Sequence, residues 1–411
     1  MRARPCRGFL IIALALLAQT AAAVATELGP GAGSYRITAP DGVVRIPFEL
    51  FRDDIRMIGE INGREVRMLI DNGSLWDQLL FFGSPRVDAL DLERDGVIEV
   101  RGSGGGASTM SETASSVALS FPGIEFTDQP AVITGYEPGR PNLWEGAEGQ
   151  VSSAFFKNFV VDVDFDAMVL TLVEPERFTP RHGATVIALM PLGGDSWAIP
   201  ANVTLWDGRR LATDVALDLG YGHALSVATG GPGDFAVPQD ALPASLGWGM
   251  NGEIIGHFAR VPGLEIGGHR LVDVLATYEP HEMSGFADAE IFIGMGVFRQ
   301  FNVAFDYPGE RIYVEPSRRF GERAEHDMSG LELRPDGNGR LVVTRVLPDS
   351  PAAEIGLRVG DRIDRLDGRP VTDLDREALR ALMRRPGETV DLVYLRDGVR
   401  AEGSLELRPL I

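Results

Sequence analysis

Val66-Arg67-Met68-Leu69-Ile70-Asp71-Asn72-Gly73-Ser74 and, in the second half of the chain, Val215-Ala216-Leu217-Asp218-Leu219-Gly220-Tyr221 are two versions of one pattern. Each is an apolar run that ends in Asp-x-Gly. The run reads as a buried strand, and the glycine permits a tight turn with close backbone approach, so the aspartate is held at a lobe's inner edge. The likeness extends outward. Leu119, Phe121 and Gly123 are matched by Leu264, Ile266 and Gly268. Phe155-Phe156-Lys157-Asn158-Phe159-Val160-Val161-Asp162-Val163-Asp164-Phe165 is matched by Val297-Phe298-Arg299-Gln300-Phe301-Asn302-Val303-Ala304-Phe305-Asp306-Tyr307. Such order-preserving similarity is an internal duplication.

The repeated elements read as strands. Residues 160–165 and 302–307 are rich in Val and Phe, and each is followed by turn residues (Asp166-Ala167, Pro308-Gly309) and a further apolar run, the signature of a hairpin. Glycine-rich turns recur at residues 102–106, 230–233 and 247–252, and long helical periodicity is missing. Two β lobes are expected, over residues 40–180 and 185–318.

Composition narrows the function. The 411 residues include 39 Lys and Arg against 59 Asp and Glu, a formal charge of −20. That balance argues against nucleic acid as a partner, because phosphate binding needs clustered cations. With 44% hydrophobic and 8% aromatic residues the chain can build cores, and its length suggests two or three domains. Arg2, Arg4 and Arg7 precede an apolar run at 9–17 and small residues at 21–25, the order of a secretory signal. Residues 1–25 are therefore expected to be a signal peptide, leaving a periplasmic or secreted protein. That run is too short for a membrane span, which takes roughly 20 apolar residues. Cys6, the single cysteine, would leave with it.

After Ser317 the chain turns charged, and residues 319–327 read as a linker. A third unit follows over 328–411. Leu341-Val342-Val343 reads as a strand, Ser350-Pro351-Ala352-Ala353 opens a short helix that Gly356 ends, residues 374–383 read as a helix and 389–395 as a closing strand.

The chemistry lies in the two Asp-x-Gly turns. In a twofold arrangement they meet, and two neighbouring carboxylates cannot both ionise easily, so one keeps a proton. A base and an acid flanking a water can hydrolyse a peptide without metal or covalent intermediate. In these features the lobes resemble the pepsin and retropepsin superfamily of aspartic peptidases, and most of all bacterial exported proteins that join such lobes to a PDZ domain. The resemblance implies a mainly β fold of two duplicated acid-protease-like lobes, with Asp71 and Asp218 as the catalytic pair. Asn72, Gly73, Ser74, Leu219 and Gly220 would form the site turns, and Gly104, Gly105 and Gly106 a flap closing over substrate.

The departures from that family are specific. Asn72 and Leu219 stand where the family has hydroxyl residues that cross-link the turns, and Leu219 offers no polar side chain. Tyr221 replaces a small residue, and Ser152 stands where Gly294 keeps the family glycine in the other half. His223, just after the second turn, is placed by its position within reach of the cleft, but a lone histidine is more often structural, and that is the reading taken for it. His281-Glu282 lacks the second histidine of a zinc-protease helix and no G-x-S-x-G elbow occurs, so no metal or cofactor is expected. Asp162, Asp164 and Asp166 alternate like a calcium loop but continue into apolar residues, and read as a strand edge.

The third unit resembles a PDZ domain of exported bacterial proteases, an α+β fold, through Ser350-Pro351-Ala352-Ala353, Gly356-Leu357, Gly360-Asp361-Arg362-Ile363, Leu366-Asp367-Gly368 and Arg396-Asp397-Gly398. By that resemblance Ser329, Gly330 and Leu331 belong to the carboxylate-binding loop, which takes the C-terminus of a protein or peptide. The two resemblances thus imply an exported aspartic endopeptidase acting on peptide or protein substrates, with both lobes in one chain and hence expected to be a monomer. The alternative is a non-catalytic peptide-binding or adaptor protein whose altered turns have lost hydrolysis.

Overall fold

The structure, a computed structural model, describes residues 33–411 apart from 52, 74–75, 136–145, 194–195, 286–288 and 337–339. The expected signal segment and Ser74 of the first turn lie outside the described residues. The fold is mainly β, and its two lobes follow one strand plan. In the first, Arg64–Ile70 leads to Asp71, pairs antiparallel with Asp54–Ile61 and runs parallel to Gly149–Val151. Leu79–Phe81 then lies antiparallel to Gly149–Val151 and parallel to Ile124–Ile133. In the second, Arg210–Leu217 leads to Asp218, pairs antiparallel with Trp197–Thr204 and runs parallel to Ile291–Ile293. Leu225–Thr229 lies antiparallel to Ile291–Ile293 and parallel to His269–Pro280. Each lobe also carries a long hairpin, Gly96–Val100 with Thr109–Phe121 and Leu242–Gly249 with Gly252–Ile266.

Side-chain alternation explains the layers. In Val44–Phe51, Val44, Ile46 and Phe48 are buried while their neighbours face outward, the period-two pattern of a strand with one face on a core. The repeated stretches expected as hairpins are found as Val160–Asp164 with Val169–Val173 and Phe301–Asp306 with Arg311–Pro316. They also join each other. Val161 lies opposite Phe305 and Val163 opposite Val303, so one sheet crosses from lobe to lobe. All four of those side chains are fully buried, and a single hydrophobic core runs through both lobes. At its rim Asp162 and Asp164 face Arg181, at 2.6 and 3.4 Å, in keeping with the strand-edge reading of that acidic run.

The third unit has its own core, around Met328, Val343, Ile363 and Leu405, under a sheet that starts at the edge strand Leu331–Pro335. Ser350 caps the helix Pro351–Glu354, and Asp361 pairs with Arg396 through two bonds of 2.8 and 2.6 Å. The second helix is shorter than its pattern. It spans Arg376–Leu382, because Leu374 is extended and Asp375 caps the first turn through the Ala378 N–H at 2.7 Å. The charged stretch before this unit lies along the second lobe, where Arg260 donates to the Ala324 carbonyl at 3.0 Å and Arg323 reaches Asp273 at 2.5 Å. No helix among the described residues is long and apolar enough to cross a membrane.

Candidate active site

The parallel strand pairs deliver the two aspartates to one place. The Asp71 N–H donates to the Val151 carbonyl at 3.1 Å and the Asp218 N–H to Ile293 at 3.0 Å, so each turn leaves its sheet at the same point of the plan. Within each turn the glycine N–H donates back to the aspartate, Gly73 to Asp71 Oδ1 and Gly220 to Asp218 Oδ1, both at 2.8 Å. The glycines are required by the opposite lobe. A Cβ on Gly73 would lie 2.5 Å from the Asp218 carboxyl carbon, and one on Gly220 would lie 2.8 Å from that of Asp71. Each aspartate thus rests against the other lobe's glycine. Burial above all, and then the charge of Asp71, push the Asp218 carboxyl well above the usual carboxylate range.

One asparagine does the work of two hydroxyls. Asn72, fully buried, accepts the Leu219 N–H on Oδ1 at 2.6 Å and donates from Nδ2 to the Tyr307 hydroxyl at 2.8 Å. Its amide supplies an acceptor and a donor together, so the second turn is held by its backbone and Leu219 is free to be a core residue. Tyr307 is stacked on Trp197 with ring centres 5.3 Å apart, and the neighbouring Ser196 donates to the Gly73 carbonyl at 2.9 Å. The second lobe therefore grips the first turn from both sides. Gln150, in the strand parallel to the first aspartate's, donates to Asp71 Oδ2 at 2.8 Å. His223 lies behind the second turn with its Nε2 2.7 Å from the Leu246 carbonyl and its ring edge-on to Tyr221 and Phe258, and burial lowers its pKa.

Gly104, Gly105 and Gly106 sit at the tip of the first-lobe hairpin, and that tip meets its second-lobe counterpart. Beside backbone bonds from Gly105 to Glu253 at 3.4 Å and from Gly104 to Met283 at 3.2 Å, most of the contact is made by Asn251. Its side chain accepts the Gly102 N–H and donates to the Ala107 carbonyl at 2.6 Å; its backbone accepts the Gly106 N–H at 2.5 Å and donates to Ser103 at 2.9 Å. A Cβ on Gly106 would lie 2.2 Å from the Asn251 carbonyl oxygen, so the closure depends on glycine. The tip of the PDZ-like unit's edge strand reaches the same hairpin, where Arg334 pairs with Glu253. Arg380 of that unit's second helix and Arg299 of the second lobe both hold Asp53 of the first, at 2.9 and 2.8 Å.

In the third unit the expected carboxylate loop already has a carboxylate. Asp327 accepts the Ser329 N–H at 2.8 Å, the Ser329 hydroxyl and the Gly330 N–H, and the Leu331 N–H donates to Ser329 Oγ at 3.0 Å. The N–H groups assigned from sequence to a ligand's C-terminus thus have partners inside the chain, because Asp327 directly precedes the loop and folds onto it.

Sequence reasoning singled out both aspartates and their turns but not Gln150, Tyr307, Ser196 or Asn251. Gln150 was within reach of the duplication, since Gly149-Gln150-Val151-Ser152 aligns with Ile291-Phe292-Ile293-Gly294 and shows a polar residue against an apolar one. Tyr307 ends the aligned closing motif, opposite Phe165. An open surface hollow of about 490 Å³ lined by Pro200, Asn202, Asp214 and Gly267 includes neither aspartate.

Residues 342–396 match the PDZ domain family. A search of curated proteins finds no match to this chain. Among solved structures, the aspartic proteinase from Irpex lacteus is similar at a TM-score of 0.46 and 9% identity, over 68% of this chain and 99% of that one.

Proposed function

We propose that the chain is an exported aspartic endopeptidase whose PDZ domain holds an extended peptide segment. The observation that carries this reading is the apposition of Asp71 and Asp218, each packed on the other lobe's glycine, with Asp218 shifted toward its protonated form. In this reading ionised Asp71 takes a proton from a water lying between the carboxyls, and the water oxygen bonds to the peptide carbonyl carbon. Protonated Asp218 gives its proton to the carbonyl oxygen. As the tetrahedral adduct collapses, the C–N bond breaks, the nitrogen takes the proton held on Asp71, and Asp218 recovers one from the adduct's hydroxyl. The paired hairpin tips would exclude bulk water, and must part to admit a chain.

The PDZ domain supports binding of a peptide, and the free edge of Leu331–Pro335 is the place for an added strand. With Asp327 seated on the loop, main-chain pairing along that edge is the recognition mode we propose, rather than capture of a terminal carboxylate.

The test is cleavage of a mixed peptide library by the chain and by its Asp71→Asn and Asp218→Asn variants, read by mass spectrometry from acidic to neutral pH. Cuts by the wild type that fall by at least roughly 10²-fold in each folded variant are expected. Peptides bound by folded wild type and recovered intact would replace this reading with the non-catalytic, peptide-binding one. Cuts that persist in both variants would remove the aspartates from the chemistry.

A further inference from the structure

A duplicated site offers an internal control, because every position near one aspartate has a counterpart near the other. The sheet register identifies the counterparts. Leu69 is paired with Gln150 and Ile70 with Val151 in the first lobe; Ala216 is paired with Phe292 and Leu217 with Ile293 in the second. Gln150 and Phe292 therefore occupy one position of the plan. Asp71 receives the Gly73 N–H on Oδ1 and the Gln150 amide on Oδ2, each at 2.8 Å. At Asp218 the corresponding Gly220 N–H is present at 2.8 Å, but in place of the amide stands a buried phenyl ring, edge-on to Tyr221 at 4.7 Å.

We propose that Gln150 is a positioning residue that keeps Asp71 as the ionised partner and so assigns the shared proton of the pair to Asp218. A donor aimed at a carboxylate oxygen stabilises the charged form, and an apolar neighbour does not. The other groups around the pair leave this asymmetry in place. Asp54, at the start of its strand, acts on Asp218 and raises it further. Tyr307, which faces both aspartates through Asn72, and Tyr221, which adjoins Asp218 and Glu279, are driven up by burial and stay neutral hydroxyls. His223, beyond Tyr221 and influenced by Arg380, Arg384 and Asp53, is lowered by burial and stays neutral near pH 7. The role in catalysis rests on the peptidase reading above, whereas the placement of the proton does not.

The experiment is a pH titration of the full chain carrying ¹³Cγ-labelled aspartate, followed by NMR. The two steps of the pair are identified as those that Asp71→Asn and Asp218→Asn abolish, and are compared with the steps in Gln150→Met and Gln150→Leu. Two replacements are used so that one misfolded protein does not decide the matter. The lower step is expected to rise by about one pH unit or more when the donor is lost, while the thermal midpoint measured at a pH below that step stays close to that of the wild type. Where the wild type cleaves peptide, the acidic limb of kcat/KM is expected to move to higher pH by the same amount, because the base must be ionised. A lower step that does not move in either folded variant overturns the assignment. A wild type that never cleaves overturns the peptidase reading alone, and the titration still decides the role of Gln150.

Discussion

The two lobes share a strand order but not a chemistry. Around Asp71 the chain places Asn72 and Gln150; at the matching positions around Asp218 it places Leu219 and Phe292. Ser152 and Gly294 differ in the same spirit. A Cβ on Gly294 would lie 2.2 Å from the Tyr221 carbonyl oxygen. The contrast shows how one chain departs from twofold symmetry without losing the fold. The side chains that bond the first aspartate and bridge the two turns stand on one side, while at the matching positions the other side has the apolar Leu219 and Phe292.

The comparison can be broken most severely at Asn72. Asn72→Ala leaves the buried Leu219 N–H and Tyr307 hydroxyl without their partner, at about 1–3 kcal/mol for each. Leu219→Met, at the matching position, keeps volume and the backbone donor and should cost less than about 1.5 kcal/mol. Denaturant titration of both variants checks this, and equal losses would mean that the bridge does not hold the turns together.

A second, smaller effect concerns pH. The Asp218 carboxyl is raised in the folded protein, so its contribution to stability is fully present below the ordinary carboxylate range and is lost as pH rises through the folded value. Asp218→Asn cannot ionise and escapes that loss. Its thermal midpoint should therefore gain on the wild type as pH is raised from strongly acidic to neutral, by the equivalent of roughly 1.4 kcal/mol for every tenfold by which folding strengthens the carboxyl's hold on its proton. A constant difference across pH would show that Asp218 titrates normally.

The smallest effect is expected where the hairpin tips meet. Asn251→Ala removes the side-chain bonds to Gly102 and Ala107 while the backbone bonds remain, and should cost about 1 kcal/mol or less of global stability. Amide hydrogen exchange at residues 102 and 106 should nevertheless quicken, since the tips open locally. Unchanged exchange there would mean that the backbone contacts alone keep the tips closed.

Much of this was legible from residue order. The duplication, the hairpins that close each half, the aspartates and the glycine-rich tip of the first lobe all follow from local patterns, because strand periodicity and turn chemistry act over a few residues. Asp327 shows the limit of such patterns. The resemblance to a PDZ domain implies Ser329, Gly330 and Leu331 as donors for a ligand, but which acceptor they meet depends on how the preceding side chain packs. The role of the second hairpin tip is hidden from sequence for a similar reason, since Asn251 owes its place to partners in the other lobe and not to its neighbours along the chain.

The amino-acid sequence by itself determined two aspartates, each at the end of a buried strand and followed by a glycine turn, and a third unit with the spacing of a PDZ domain. Only the tertiary structure decided that the turns touch, that Asn72 serves both of them, and that Gln150 reaches one carboxylate while Phe292 stands beside the other. The reason is physical. Strand and turn preferences are local free energies, whereas the proton affinity and the hydrogen bonds of a buried carboxyl are set by whatever the folded chain brings within a few ångströms of it.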